Sequence, residues 1–187
     1  MVRHTIMGTA LVAALALASC GKNDAAPDAK GTAAVADASS KDLFDALGDS
    51  SDLSESARLV KAAGLEKTFE GVGSYTLFAP TNAAIEALPE ADRKALDSNE
   101  GKVQLVALVS QHLSPGYIGR TDLDQGFERG KGTVRLASLG GQPLTLTRDG
   151  DVIRLGSGED APKLVGAPIV ARNGVIYPID RVLPVPK

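Results

Sequence analysis

The chain has 187 residues, of which 43% are hydrophobic and 23% are charged, and its formal net charge is −3. This length is sufficient for one domain with appended segments. A slightly acidic chain lacks the charge excess of nucleic-acid-binding proteins, so we expect no DNA or RNA partner.

The N-terminus has the pattern of a secretory signal peptide. Arg3 and His4 precede an uncharged stretch, Thr5–Ala18, that is rich in Ala and Leu. This stretch is shorter than the roughly 20 residues that a transmembrane helix needs. We therefore predict that residues 1–19 are a signal peptide and that the chain is exported.

Cys20 lies two residues after the end of this stretch. Leu17–Cys20 resembles the lipobox of bacterial lipoproteins, in which the thiol receives diacylglycerol and cleavage leaves the cysteine as the first residue. The resemblance implies lipidation of Cys20, and two or more acyl chains such as palmitate anchor a protein stably, because each buried methylene contributes about 0.8 kcal/mol. The alternative is an ordinary cleavage site at Ala16–Ala18.

Gly21 stands where an Asp would indicate the inner membrane, so we expect anchoring to the bacterial cell envelope at the outer membrane.

A catalytic role for the Cys20 thiol is a further possibility, since thiolates are nucleophiles. That role needs a His held against the thiol, and Cys20 precedes the folded part of the chain. We therefore assign Cys20 to lipidation and to no catalytic function.

Residues 20–40 have the composition of a flexible tether. They are small or polar, and Val35 is the only apolar side chain larger than Ala between Gly21 and Ser40. Such a segment buries too little apolar surface to fold. Its root-mean-square reach would be about 25 Å, which holds the following domain, residues 41–187, away from the membrane.

Two helices and a strand are predicted in the first half of the domain. Leu53, Ala57, Val60 and Ala63 follow helical spacing, and Gly64 stands where a helix C′ residue belongs. Next, Tyr75–Phe78 is a short strand that Pro80 ends, and Thr81 or Asn82 caps a helix that Pro89 stops.

A longer helix is predicted from Asn99 to Leu113. Leu105, Val109 and His112 lie on one stripe of it. The pair Pro115-Gly116 is expected to end this helix.

After this helix the hydrophobic period changes to two, which predicts a meander of antiparallel strands. Gly140-Gly141 and Asp149-Gly150 supply the turns. The predicted strands are Thr133–Leu136, Leu144–Thr147 and Val152–Leu155.

The last predicted element is a hairpin. Ile169–Ala171 and Val175–Tyr177 flank Asn173-Gly174, a pair that tolerates positive φ at both positions. Pro178 must lie where no ladder N–H is needed. Helices in the first half and strands in the second predict an α+β fold.

Two segments resemble the signatures of fasciclin (FAS1) domains. Tyr75–Pro89 resembles the first signature and Asn173–Leu183 the second, and Leu105–Leu113 is similar to the central helix between them. The similarity covers Lys41–Pro186. It implies a β-wedge of antiparallel strands with helices packed around it.

The resemblance also implies a function. Family members are extracellular or envelope modules for adhesion and protein contacts, and enzymatic activity is not typical of them. We therefore expect a lipid-anchored binding or adhesion module for an envelope or extracellular protein or polysaccharide. The alternatives are an envelope protein that binds a small apolar ligand and, as the weakest, an envelope hydrolase, for which we find no nucleophile, base and orienting group.

The family's contact motifs are changed in this chain. In animal members integrin contact is attributed to a Tyr-His pair and an Asp-Ile pair, which correspond here to Gln111-His112 and Pro168-Ile169. Integrin binding is therefore not expected. Gln111 and His112 remain candidate partner contacts, and the alternative for His112 is a buried side chain that hydrogen-bonds neighbouring backbone.

The remaining signature residues are expected to determine the fold rather than to bind a ligand. Asp180 and Arg181 are expected to tie the last strand to the helix of the first signature. The predicted structural residues are Phe78, Pro80, Thr81, Asn82, Asn173, Gly174 and Asp180.

No cofactor or metal site is predicted. Asp149, Asp151, Glu159 and Asp160 do not have the spacing of an EF-hand loop. One His and one lipidated Cys cannot form the ligand shell of a transition metal.

Overall fold

The computed structural model of the protein describes residues 40–70, 73–98 and 101–184. None of the helices in these ranges combines the length and the hydrophobicity that crossing a membrane requires. The helices are α1 (Leu43–Asp49), a 3-10 turn (Ser51–Leu53), α2 (Ser54–Ala63), α3 (Glu66–Glu70), α4 (Asn82–Glu86), α5 (Glu90–Asp97), α6 (Lys102–Gln111) and α7 (Arg120–Arg129).

The strands form two sheets. One sheet has the order β2-β1-β7-β6 and the other has the order β3-β4-β5. Paired strands run antiparallel except β1 and β7, which run parallel. The strands are β1 (Tyr75–Pro80), β2 (Leu113–Pro115), β3 (Thr133–Leu136), β4 (Leu144–Asp149), β5 (Val152–Leu155), β6 (Ile169–Ala171) and β7 (Gly174–Ile179). The fold is α+β, as predicted, although one strand pair is parallel where antiparallel strands were expected.

The central strands β1 and β7 are buried on both faces. Leu77 and Ile176 face a core built with α1, α2, α3 and α6. Phe78, Val175 and Tyr177 face a second core built with α7 and the three-stranded sheet. A strand between two cores has no polar face, which explains the continuous apolar runs in both signature segments. Full burial of one large apolar side chain contributes roughly 1.5–3 kcal/mol.

Several predicted elements are confirmed. Helix α2 ends before Gly64, whose φ of +73° is the left-handed conformation of a C′ glycine. The meander is present as β3, β4 and β5, and Gly141 and Gly150 have φ of +86° and +57° in its turns. These turns use glycine for the conformational reason that the sequence indicated.

Two predicted boundaries are wrong. Helix α6 ends at Gln111, because Leu113–Pro115 pairs with β1 as strand β2 instead of continuing the helix. Strand β1 continues through Pro80, which lies opposite Ile179 of β7. The predicted start of the long helix at Asn99 lies outside the described residues.

Pro178 lies inside β7 and leaves the β1 ladder intact. Its carbonyl accepts a hydrogen bond from Val165 N (2.9 Å), whereas the carbonyl of the next residue, Ile179, accepts from Thr81 N (3.0 Å) beyond the end of β1. Successive strand residues direct their backbone groups to opposite sides. The ring nitrogen of Pro178 therefore points away from β1, where no ladder N–H is needed.

Candidate functional site

The two signature segments lie side by side in the four-stranded sheet. Strands β1 and β7 pair in parallel from Tyr75 opposite Gly174 to Pro80 opposite Ile179. The residues that carry the sequence resemblance are therefore direct neighbours in the fold, although they lie at opposite ends of the domain sequence.

Phe78 is an interior packing residue. Its ring stacks on Tyr177 with 5.7 Å between centroids and 20° between planes, and it is fully buried. Tyr177 Oη donates to the carbonyl of Ile118 (3.0 Å), so the one polar atom of this aromatic pair is satisfied. Burial raises the pKa of Tyr177 above its ordinary value.

Thr81 and Asn82 cap two different helices. Thr81 Oγ1 accepts from Ala84 N (3.2 Å) and caps its own helix, α4. Asn82 Oδ1 instead accepts from Glu55 N (2.9 Å) in the first turn of α2, and its Nδ2 donates to the carbonyl of Ser51 (2.8 Å). The first signature therefore joins β1 to a helix that precedes it in the chain.

Asn173 connects three segments through its side chain. Its Oδ1 accepts from Leu43 N (2.8 Å) at the start of α1, and its Nδ2 donates to the carbonyl of Phe69 in α3. The side chain is buried. The predicted hairpin is present, but the stated reason for its asparagine is wrong, since Asn173 has no positive φ.

Gly174 is also required for a reason other than turn conformation. Ala171 pairs with Gly174, so the two turn residues are Arg172 and Asn173. Gly174 is the first residue of β7, and its φ is not positive. A Cβ at position 174 would overlap Leu43 Cδ1 and the carbonyl oxygen of Tyr75. Glycine here permits close packing against α1 and β1.

Pro80 and Asp180 both use backbone contacts to join segments. The carbonyl of Pro80 accepts from Ser56 Oγ (2.6 Å) of α2. Asp180 Oδ1 accepts from Lys163 N (2.7 Å), so the expected tie to the helix of the first signature is wrong. Asp180 holds the loop before β6 instead, and the side chain of Arg181 pairs with Asp160 (3.2 Å) of the same loop.

Gln111 is buried at the end of α6 and holds the turn after β3. Its Nε2 donates to the carbonyl of Gln142 (3.0 Å), and its Oε1 accepts from Ser138 Oγ (3.2 Å). Gly140 lies against the Gln111 backbone, where a Cβ would overlap it. A partner contact at Gln111 stays a prediction, and the amide group is already engaged inside the domain.

His112 is buried, and both ring nitrogens have backbone partners. Nδ1 lies 2.7 Å from the carbonyl oxygen of Leu108, and Nε2 accepts from Leu183 N (3.0 Å). Burial lowers the pKa of His112 from 6.5 to about 4, and the Leu108 carbonyl opposes that shift. This is the arrangement of a neutral, hydrogen-bonded core histidine, and a partner contact at His112 stays a prediction.

A small apolar cavity lies beside the His112 ring. Its volume of about 20 Å³ is sufficient for one water molecule and insufficient for a small apolar ligand. This cavity therefore cannot hold the ligand of the small-apolar-ligand alternative. The lining residues are Ser56, Leu59, Val60, Leu77, Ala79, Pro80, Leu108, Val109, His112 and Val182.

An open groove of about 380 Å³ lies where the two signatures meet the surface. It continues into a second depression of about 250 Å³, because Asp52 and Thr81 line both. Of its residues, Ile169 of the altered Asp-Ile pair and the signature residues Thr81 and Pro178 are recognisable in the sequence, which does not predict a groove. The groove residues are Ser50, Asp52, Leu53, Thr81, Val165, Gly166, Ala167, Ile169 and Pro178.

The polar side chains of the interior are used internally. In the described ranges, every buried side-chain nitrogen or oxygen has a hydrogen-bond partner. The same ranges contain no group of three or more His, Cys, Asp or Glu side chains that could hold a metal ion. Cys20, the predicted lipidation site, lies outside the described residues.

Comparison with known proteins identifies the same family as the signatures do. The family model of the fasciclin domain matches residues 51–186. The chain is 35% identical over 125 residues to Protein sll1483 of Synechocystis, covering 66% of this chain and 62% of that protein. It is 32% identical over 129 residues to the pig transforming growth factor-beta-induced protein ig-h3, covering 66% of this chain and 16% of that protein. The chain thus spans less than two thirds of either relative.

A solved structure has the same fold. The FAS1 domain pair of the insect cell adhesion molecule fasciclin I superposes with a TM-score of 0.66 at 16% identity, over 76% of this chain and 50% of that one. At this identity the similarity establishes the fold alone. Together with the paired signature strands and the match over residues 51–186, it shows that the chain belongs to the fasciclin domain family.

Proposed function

We propose that the protein is an adhesion-type binding module that a lipid on Cys20 anchors to the bacterial cell envelope. In this proposal residues 1–19 are the signal peptide, residues 20–40 are the tether, and residues 41–187 are the domain that meets an envelope or extracellular protein or polysaccharide. The observation that carries it is membership of a family that occurs in a cell adhesion molecule.

The use of the signature residues supports binding through the exposed surface. Asn82, Asn173 and Asp180 all bond to backbone of other segments, so they stabilise the fold and are not available to a partner. Among the described residues no metal cluster is present, and the relatives named above are not named as enzymes. We therefore propose a non-enzymatic function.

The groove between Asp52 and Ile169 is the surface that we assign to the partner. It places a carboxylate and a hydroxyl, Asp52 and Thr81, beside partly exposed apolar side chains such as Ile169. A concave surface of mixed polarity can bury apolar area while polar groups fix orientation. The second signature contributes Pro178 to it, so the groove depends on the fold that both signatures maintain.

A capture experiment with two arginine variants tests the groove. The full chain would be immobilised and exposed to solubilised envelope proteins and to envelope polysaccharide. Ala167→Arg places a long cation in the groove, whereas Val103→Arg, at a residue that is 78% exposed on α6, adds the same charge elsewhere. We expect wild type and Val103→Arg to retain the same component and Ala167→Arg to bind it at least about tenfold more weakly, which is about 1.4 kcal/mol. Equal binding by all three proteins would exclude the groove, and no capture by wild type would contradict the binding function.

The anchor is tested independently of the partner. Cys20→Ser should remove the lipid mass and release the protein from membranes, because no acceptor thiol remains in a chain with one Cys. Density fractionation of wild-type membranes would assign the anchored protein to the outer or the inner membrane. A Cys20→Ser protein that stayed in the membrane with the mass of the wild type would refute the anchor.

A further inference from the structure

The His112 ring joins the end of α6 to the C-terminal segment, residues 182–184. The Leu108 carbonyl can only accept a hydrogen bond, so Nδ1 must carry a proton to bond with it at 2.7 Å. The backbone N–H of Leu183 can only donate, so Nε2 must be unprotonated to accept it at 3.0 Å. The two contacts therefore fix one tautomer of the neutral imidazole.

The second proton of the imidazole can enter only at Nε2. There it would convert the acceptor of the Leu183 N–H into a donor, so two N–H groups would face each other in a buried site. The hydrogen bond would be lost, and a charge would be left in the core without a partner. When residues 182–184 move away, water can reach the ring, solvate the imidazolium and hydrogen-bond the freed Leu183 N–H, so both costs are removed.

Apart from His112 itself, the described residues that line the cavity beside the ring carry no charge that could compensate an imidazolium. The elements packed around the ring contribute Ser56, Leu59 and Val60 from α2, Leu77 and Ala79 from β1, and Val182 from the C-terminal segment, and none of these is titratable at physiological pH. The hydroxyl of Ser56 is already donated to Pro80. The carboxylate nearest in sequence to residues 182–184, that of Asp180, accepts instead from Lys163 N (2.7 Å).

We propose that the His112–Leu183 hydrogen bond is an acid-sensitive latch. It holds residues 182–184 over the small apolar cavity between α2, β1 and α6, and it releases them when Nε2 is protonated. Release exposes the apolar lining of the small cavity, including Leu59 and Val60, without requiring the sheets to separate. The latch is independent of the proposed partner groove, since His112 lines the small cavity and not that groove.

The direction and size of the effect follow from linkage. The pKa of His112 is lowered from 6.5 to about 4 by burial, so the closed state is favoured above pH 6.5 and loses this advantage as the pH falls toward 4. A difference of about 2.5 pH units multiplies the opening equilibrium about 300-fold when protonation is complete. Between pH 7 and pH 4 we expect an increase of about 100-fold.

Amide hydrogen exchange on the full chain, labelled with ¹⁵N-leucine, tests the latch. The measured quantity is the protection factor, which divides the intrinsic exchange rate at each pH by the observed rate. The internal control is Leu155 N, at the end of β5 in the three-stranded sheet, which donates to the carbonyl of Pro162 (2.7 Å). We expect the protection of Leu183 to fall about 100-fold between pH 7 and pH 4 while that of Leu155 changes little.

A variant separates titration from general acid sensitivity. In His112→Gln the side-chain carbonyl can accept from Leu183 N near the position of Nε2 and does not titrate, so the protection of Leu183 should become independent of pH. If this variant does not fold, the proposal is still tested by the wild type, in which the pH dependence of the protection factor of Leu183 is compared with that of Leu155. Unchanged protection of Leu183 at pH 4, a parallel loss at Leu155, or the same loss in a folded His112→Gln would each overturn the proposal.

Discussion

Asn173→Ala should be among the more destabilising single substitutions in this domain. The change removes the acceptor of Leu43 N and the donor to the Phe69 carbonyl. Leu43 and Phe69 are both 0% exposed, so water cannot replace the lost partner without opening the core.

The expected cost follows from the two groups that lose their partner. A buried backbone group without a hydrogen bond costs about 1–3 kcal/mol, so the loss of both partners costs roughly 2–6 kcal/mol in the free energy of unfolding. A domain has about 5–15 kcal/mol in total. Asn173→Ala therefore removes a large fraction of the stability, although the substitution lies in a two-residue turn, where most changes have small effects.

Equilibrium unfolding in urea measures the difference. Arg172→Ala is the matched control, because Arg172 is the other residue of the same turn and its side chain is exposed, so its cost should stay within about 0.5 kcal/mol. If the free energy of unfolding of Asn173→Ala differs from that of Arg172→Ala by less than about 0.5 kcal/mol, at an unchanged urea dependence, the bridging role of Asn173 is refuted.

The remaining predictions concern the same measurement. Gly174→Ala should cost at least about 3 kcal/mol, because its Cβ meets Leu43 and backbone of Tyr75 at once; a cost below about 1 kcal/mol would contradict the close approach. Asn82→Ala should cost about 1–2 kcal/mol, whereas Asn82→Asp should recover part of this, since a carboxylate still accepts from Glu55 N at the start of α2. Equal stability of the two Asn82 variants would show that the capping bond contributes nothing.

Hydrophobic periodicity was sufficient to predict the fold class and the elements with a regular pattern. Helix α2 and the meander β3–β5 have complete apolar periods bounded by Gly64 or by turn glycines, and these predictions are confirmed. Helices α1 and α7 were not predicted, although Leu43 and Leu47, and Leu123 and Phe127, are buried at helical spacing. Each of these helices has only two or three buried residues, which is too short a period to distinguish from a loop.

The roles of the signature residues could not be predicted from local sequence, because their partners lie far away in the chain. Asn82 follows a strand and precedes a helix, so local sequence indicates a cap of that helix, yet it caps α2 through Glu55. Asn173-Gly174 has the composition of a hairpin turn, yet the pair contacts Leu43. The sequence predicts that these residues determine the fold, and only the tertiary structure identifies the segments that they join.

The parallel pairing of β1 with β7 has a consequence for biogenesis. The last strand of the domain, Gly174–Ile179, lies between β1 and β6 in the sheet, so β1 has no parallel neighbour until almost the whole domain is available. Pairing between distant segments is slow even in a complete chain. A polypeptide that leaves a ribosome or a membrane pore N-terminus first therefore cannot complete this sheet until β7 has emerged.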